Sequence, residues 1–456
     1  MSRDNKSVTN WKDLAAGLLK KARGSKTGLE VRFFESGNLS VRVRKGETEE
    51  IRRTGPFGAG MRVFRDGRSV SAATAKTDPA NLEKVLDRLL DNVSLVDPDD
   101  ANGLPDADLL CPEGGPDLQL HDATAAALTV EKALDMARVC EQAAFDANPV
   151  IKNSSGAGVG VGFGQGWLFN TDGLAVEELT SSVSIWASPV AEDDKGNKKS
   201  ESWWHQACHL SDLEAADEVG KVAGARAARM LGAVKAPTGK FPVLFVPQTA
   251  QALVSTLFES VSGTSVYRKS TFLGEKEGQR IASDLVTIND DPHRVRGVSS
   301  RLFDGEGVVC QPMTLLDKGV LKFFPCDTFS ARKLGRKTTG HSSRGLAGTG
   351  GVGSSNLYLA NGDKTPEELM AQMGEGLLVT SFIGFGFNMA TGDFSRGVEG
   401  FWVKDGKLDH PVHEISVSGN LGAMFEAVVG VANDLEFRDG TDSPSLLLRE
   451  MTVSGS

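Results

Sequence analysis

Long apolar runs are missing from this chain, and so are paired cysteines, a basic stripe and most of the short motifs that mark an active site. No run approaches the roughly 18–20 apolar residues that a helical membrane span needs. The opening residues, MSRDNKSVTNWKDLAAGLLKKA, hold no apolar segment and no small-residue cleavage site, so no signal peptide is expected. The five cysteines (Cys111, Cys140, Cys208, Cys310 and Cys326) are scattered, and none forms a C-x-x-C pair. That pattern speaks against a disulfide framework and against a cysteine zinc site. A cytoplasmic location without membrane contact is the expectation. Basic residues are also short: 50 stand against 60 acidic ones, for a net charge of −10. They gather only at Arg42/Arg44/Lys45 and Arg332/Lys333/Arg336/Lys337, so direct nucleic-acid binding is not expected.

The familiar catalytic signatures are absent too. Lys337 follows Arg336 rather than glycine, so no phosphate-binding G-x-x-x-x-G-K-[ST] occurs, and Gly156–Gly166 does not fit a G-x-G-x-x-G opening a helix. No G-x-S-x-G elbow is present. His205 and His209 have the four-residue spacing of a zinc helix but lack the glutamate of HExxH. Their flank, Trp203-Trp204, reads as strand, which sets residues four apart about 13 Å from each other. His410 and His413, near Asp409 and Glu414, flank Pro411 and read as a surface strand. His341 lies in a glycine-rich loop beside Thr338, Thr339, Ser342 and Arg344, where a functional role and a solvated loop side chain both remain open.

What is present is globular. At 456 residues, 40% apolar and 24% charged, the chain is too long for one ordinary core, and two or three domains are expected. Its 52 glycines exceed the usual share of roughly 7 per cent and favour turns and β-structure. The periodicity predicts a helix over 8–25, a hairpin of Leu29–Phe34 and Leu39–Arg44 turning at Ser36-Gly37-Asn38, and a second hairpin around Asp66-Gly67. Helices follow over 80–91, about 130–147 and about 213–231. Between them lie a proline-rich linker (96–120) and a strand over 156–166, in which glycine falls on every second residue as though another backbone came close. Beyond 237 the chain reads as short β-runs, with helices at Pro366–Met373 and Leu421–Val431 and a long loop over Gly335–Gly353. The fold class is α+β: a mixed N-terminal domain (1–95), the linker, a middle α+β region (121–236) and a β-rich, barrel-like C-terminal domain (237–456).

The organising stretch is 241–273. A strand-length run, Phe241–Val246, feeds a helical pattern in which Leu253, Val254, Leu257, Phe258 and Val261 share one face. Ser255, Thr256, Glu259 and Ser260 occupy the polar face. Around this stretch four segments resemble the TldD/PmbA family, specifically its TldE (PmbA) branch. They are VSGTSVYRKSTFL (261–273), FDGEGV (303–308), SNLYL (355–359) and TGDFSRGVEGFW (391–402), the last continuing into Glu414-Ile415 and Ser418-Gly419-Asn420-Leu421. Gly60-Met61-Arg62-Val63-Phe64 with Asp66-Gly67-Arg68 extends the likeness towards the start.

The resemblance implies a cytoplasmic peptidase built from two related subunits. The TldD-type subunit carries zinc on a helix reading His-Glu-x-x-x-His and draws a cysteine ligand from near its C-terminus; the TldE-type subunit lacks the metal. Anchored on Pro242 and Pro247, the three motif positions fall here on Ser255, Thr256 and Ser260, and the tail SPSLLLREMTVSGS has no cysteine. Zinc takes Cys, His and Asp/Glu, and neutral hydroxyls are poor ligands. The chain is therefore expected to hold no metal and no catalytic residue, and to act on peptides or unfolded segments beside a TldD-type partner that binds the zinc. Glu259, Tyr267, Arg268, Lys269, His341, Arg344 and Arg396 are expected to line the substrate cavity. Two other readings are a stand-alone homodimeric peptide-binding module and an independent hydrolase using Ser255, Ser260 or His341; the second has no base–nucleophile pair legible in the sequence.

Overall fold

The computed structural model describes residues 10–348 and 350–455. Residues 8 and 9 of the first expected helix, Thr349 of the long loop and Ser456 of the tail lie outside that range. Helix α1 (Trp11–Gly24) starts where the Asn10 side chain accepts the Asp13 N–H, and it buries Ala15, Leu18, Leu19 and Ala22. Strand β1 (Gly28–Arg44) then runs unbroken through Ser36-Gly37-Asn38. This corrects the expected first hairpin. A later strand pairs with β1 along that whole stretch, setting Ser36 opposite Gly164 and Asn38 opposite Gly162, so the turn-forming residues are held extended. Strands β2 (Glu47–Thr54), β3 (Phe57–Arg65) and β4 (Arg68–Thr74) follow. Asp66 and Gly67 take positive φ between the last two, as a tight hairpin requires.

Helices α2 (Pro79–Asn92), α3 (Ala123–Ala126) and α4 (Val130–Asp146) lead to β5 (Ile151–Asn170), β6 (Ala175–Glu192), β7 (Lys198–Ser200), β8 (Trp203–Ala207) and helix α5 (Ala216–Arg229). The eight strands form one sheet in the order β4-β3-β1-β5-β6-β7, with β2 on β1 and β8 on β6. Residues 28–74 and 151–207 thus share a single sheet that spans the first and middle segments. One face carries the helices. Leu29, Val31, Phe33 and Met61 pack with α1 and α2, and Leu39, Val41, Val159 and Ile185 pack with α4 and α5. The alternate glycines of β5 face the other side, beside Ser182 and Ser184 of β6. A backbone comes close to Gly158, where a Cβ would meet the Val41 carbonyl, and again between α4 and α5, where a Cβ on Gly220 or Gly224 would collide with the carbonyls of Cys140 and Ala144.

In the second half, β9 (Gly239–Phe245) feeds α6 (Pro247–Ser260), with Pro247 in its first turn, and a short α7 (Gly263–Tyr267). Next come β10 (Ile288–Asp290), β11 (Met313–Asp317), β12 (Val320–Leu321), α8 (Thr328–Lys333), β13 (Ser342–Ser343), β14 (Gly351–Val352) and β15 (Leu357–Leu359). The predicted loop over 335–353 therefore contains a small β13–β14 pair. Helix α9 (Pro366–Met373) is closed by a Thr365/Glu368 capping box. The chain ends with β16 (Gly376–Ile383), β17 (Phe387–Asn388), β18 (Asp393–Lys404), β19 (Lys407–Asn420), α10 (Leu421–Glu426), β20 (Val428–Val431), β21 (Thr441–Asp442) and β22 (Leu446–Ser454). The helix predicted over 421–431 stops at Glu426, because Val428–Val431 pairs with β22.

Strands β16, β9, β22, β19 and β18 pair in sequence, and β18 returns to β16. The ring is a closed five-stranded barrel, the β-rich C-terminal architecture expected for this α+β chain. Helix α6 buries Leu253, Val254, Leu257 and Phe258 in the core that Phe245, Val379, Val398 and Leu448 help to form. Among the described residues no helix is long and apolar enough to cross a membrane.

The contact between α4 and α5 gives a direct test of this packing. Gly220→Ala is expected to lower stability by about 1–3 kcal/mol, since two backbones would have to separate. Chemical denaturation should show a lower midpoint with an unchanged slope.

Candidate functional site

Helix α6 sets the polar positions singled out in the sequence. The Thr256 hydroxyl donates to the Ala252 carbonyl at 2.7 Å, and the Ser260 hydroxyl, fully buried, donates to the Thr256 carbonyl at 2.8 Å. Both side chains are folded back on their own helix, the usual behaviour of mid-helix Ser and Thr. Ser255 alone faces open space. The three positions offer no imidazole, thiolate or carboxylate, so the residues present do not fit a zinc ion.

Ser255 lines a cavity of about 350 Å³ together with Gln251, Ser299, Ser354, Asp439 and Thr441. In its wall, Ser355 donates its N–H and hydroxyl to Asp290 at 2.9 and 2.7 Å, and His341 Nε2 stands 3.0 Å from the other carboxylate oxygen. Burial alone would raise the Asp290 carboxyl. His341 and Ser355 outweigh it and hold the group below the ordinary carboxylate range. His341 is 3% exposed and its Nδ1 lies 2.8 Å from the Thr339 carbonyl, so it braces the cavity rather than lining it. A smaller recess on the other side of Gln251 is lined by Trp203, Trp204, Gln248, Arg438 and Asp442. Asp442 Oδ1 accepts the N–H groups of Arg438 and Asp439, while Oδ2 is buried without a donor. Burial pushes this carboxyl up to about 6.

A second cavity, also about 350 Å³, lies between the N-terminal sheet and the C-terminal half. Tyr267 and Arg268 line it with Gly348 and Gly350 of the long loop, over a floor that includes Arg62 and Glu306. Arg268 Nε donates to the Tyr267 hydroxyl at 3.0 Å, and the Tyr267 ring meets Phe329 edge-on. Here the structure brings together Tyr267, Arg268 and the 335–353 loop. It does not gather the remaining expected residues. Glu259 and Lys269 are exposed and line neither cavity. Arg396 sits over the rings of Phe382, Phe385 and Phe394, away from both.

Arg344 is buried in a charge cluster beneath the second cavity, a correction to its expected place on a cavity wall. Its guanidinium pairs with Glu30 of β1 and donates from Nε to the Gly305 carbonyl at 3.0 Å. Arg62 of β3 reaches Glu30 at 3.4 Å and Glu306 at 3.0 Å, and Glu306 also accepts the Thr328 N–H. Burial lowers the Arg344 guanidinium to about 10. Asp304 accepts N–H groups from Glu306, Val308 and Ser342, yet its burial and the nearby Glu306 raise its carboxyl. The FDGEGV segment is therefore an acidic turn that clamps arginines from elsewhere in the chain. Sequence reasoning quoted that segment without assigning it this role. It also missed Asp290, Asp439 and Asp442, which belong to no recognised motif and meet the site only through the fold. A larger cavity, about 790 Å³, is a separate aromatic groove lined by Trp11, Trp167, Phe169 and Phe303.

Two measurements follow from these geometries. Arg344→Ala leaves Glu30 buried without one of its two cations and is expected to cost roughly 3–5 kcal/mol in denaturant unfolding. Asp442, with Asp439, Arg294 and Arg438 as its charged neighbours, titrates higher in the folded chain than in the unfolded one. Its stabilising contribution is thus complete below about pH 4 and is lost as pH rises through about 6. The stability difference between wild type and Asp442→Asn should shrink by roughly 2–3 kcal/mol from pH 4 to pH 7.

Comparison with known proteins places this geometry. Models of the PmbA/TldA metallopeptidase match in order: domain 1 over residues 29–93, the central domain over 124–231 and the C-terminal domain over 238–455. The metalloprotease PmbA of Escherichia coli O157:H7 is 33% identical over 437 residues, covering 96% of this chain and 94% of its own. A PmbA homolog from Haemophilus influenzae is 32% identical over 431 residues, covering 94% and 92%. Among solved structures, a putative modulator of DNA gyrase from Bacteroides thetaiotaomicron matches with a TM-score of 0.90 at 29% identity, over 99% of this chain and 100% of that one. TldE from Thermococcus kodakarensis, at 19% identity, shares the fold with a TM-score of 0.88 over 97% and 100%. Matched along its three domains in this way, the chain belongs to the PmbA/TldD metalloprotease family, on its PmbA/TldE branch.

Proposed function

We propose that this chain is the zinc-free subunit of a heteromeric cytoplasmic metalloprotease that degrades or processes peptides and unfolded segments, with a TldD-type chain as its partner. The observation that carries the reading is the chemistry of α6. Ser255, Thr256 and Ser260 stand at the three motif positions, and two of their hydroxyls are spent on helix carbonyls. The chemistry a zinc ion supplies, activation of water for attack on a peptide bond, is thereby assigned to the partner. This chain contributes walls, charge and shape. All five cysteines are unpaired and buried, which suits a reducing compartment.

A contact surface for the partner is suggested by the tip between β16 and β17. Phe385 is 98% exposed and Ile383 53% exposed there, with Arg396 beneath the ring. Apolar side chains held so far into solvent are typical of association surfaces. The same tip would serve the alternative reading, a stand-alone homodimeric peptide-binding module.

The test is co-purification with a TldD-type protein followed by assay on an unstructured peptide. Association together with cleavage that neither chain gives alone supports the proposal; failure to associate overturns it. Phe385→Ser is expected to weaken association at least tenfold while leaving the Tm of the isolated chain within about 2 °C.

A further inference from the structure

The cavity over Ser255 carries an unbalanced negative charge. Its polar lining consists of hydroxyls, the Gln251 amide and one full charge, Asp439; among the described residues no Lys, Arg or His lines it. Asp439 Oδ1 accepts from its neighbour Gly440 N–H at 2.8 Å and from Gln206 Nε2 at 3.2 Å. Among the described residues no donor reaches Oδ2.

A second carboxylate, Asp442, stands next to Asp439, with Arg294 as the cation beside it. Asp442 holds the backbone of Asp439 in place through Oδ1, is 1% exposed, and keeps Oδ2 without a donor. The cation adjacent in sequence, Arg438, is committed elsewhere. It binds Glu214 at 3.1 Å and Glu436 at 2.7 Å, and its guanidinium lies over the Trp203 ring. A half-exposed carboxylate in an open cleft, with one oxygen lacking a donor, attracts a cation. The many hydroxyl oxygens favour one with several N–H donors, and a compact ammonium offers three. The volume admits more than a single ion, enough for an ammonium together with the residue that bears it.

We propose that this pocket receives a primary ammonium of a bound peptide, either its N-terminal amine or a lysine side chain. The inference rests on the reading of the chain as a peptide-handling subunit, but its test needs no partner, so failure of one is distinguishable from failure of the other. Asp439 Oδ2 takes the charge, and Ser255, Ser299 and Ser354 accept the remaining N–H groups or bridge to them through water. The pocket then sets which peptides are held while the chemistry proceeds on the other chain.

Calorimetry on the full-length isolated chain tests this with three short unstructured peptides. One has a free N-terminus and no lysine, one is acetylated with a single lysine, and one is acetylated without lysine. The expected result is that the last binds at least tenfold more weakly than whichever ammonium source the pocket takes. Tight binding of the first alone identifies the N-terminus, and of the second alone the side chain. Asp439→Asn keeps the Gly440 and Gln206 contacts through its carbonyl oxygen, and should bring all three peptides within twofold. Ser255→Leu, at a half-exposed helix position that tolerates a larger side chain, should abolish the preference by filling the cavity. Equal binding of all three by wild type, no binding at millimolar peptide, or an unchanged preference in Asp439→Asn would each overturn the proposal.

Discussion

The two halves of this molecule meet through buried charge. Glu30 and Arg62 project from the face of the N-terminal sheet opposite its helices, and Glu306 and Arg344 come from two loops of the C-terminal half. Each ion has lost its water, so each depends on the others. Such a cluster tolerates little displacement: moving one loop strands a charge in a low-dielectric interior. That constraint holds the 342–344 segment against the sheet, and the cavity bearing Tyr267 and Arg268 is positioned above it. Gly60 permits the approach, since a side chain there would run into the Leu346 backbone.

The C-terminal barrel imposes a second constraint through α6. The helix is nailed into the core by Leu253, Val254, Leu257 and Phe258, which fixes which of its positions can face outward. Thr256 and Ser260 turn their hydroxyls onto the preceding turn and are silent towards any ligand. Ser255 remains, in a cavity whose wall is braced by Asp290, Ser355 and His341. A helix that offers hydroxyls in place of metal ligands thus still fronts a shaped, negatively charged space. The function proposed above places recognition on this chain and hydrolysis on its partner.

Much of this was legible in the sequence because the signals were local. The α6 stripe, the Asp66-Gly67 turn and the helix over Pro366–Met373 each depend on residues a few positions apart. The hairpin expected at Ser36-Gly37-Asn38 failed because pairing with β5 over fourteen residues overrides three turn-forming ones. Strand β2 escaped notice since every residue of it is exposed and it carries no alternation of apolar and polar positions. The charge cluster could not be read at all. Glu30 and Arg344 are more than three hundred positions apart, and nothing in either neighbourhood marks a buried ion. Likewise the neighbours of His341 in sequence allow both a functional and a solvated loop side chain, and only the fold sets Asp290 against it. The single carboxylates at 439 and 442 acquire meaning only when Gln251 and Ser255 are brought beside them.

The central claim is that α6 of this chain cannot hold zinc. Elemental analysis of the purified chain, after incubation with excess zinc and exhaustive desalting, tests it most directly. The account predicts well under one zinc per chain and no peptide hydrolysis by the isolated protein. One tightly retained zinc per chain, accompanied by cleavage that a chelator abolishes, would contradict it.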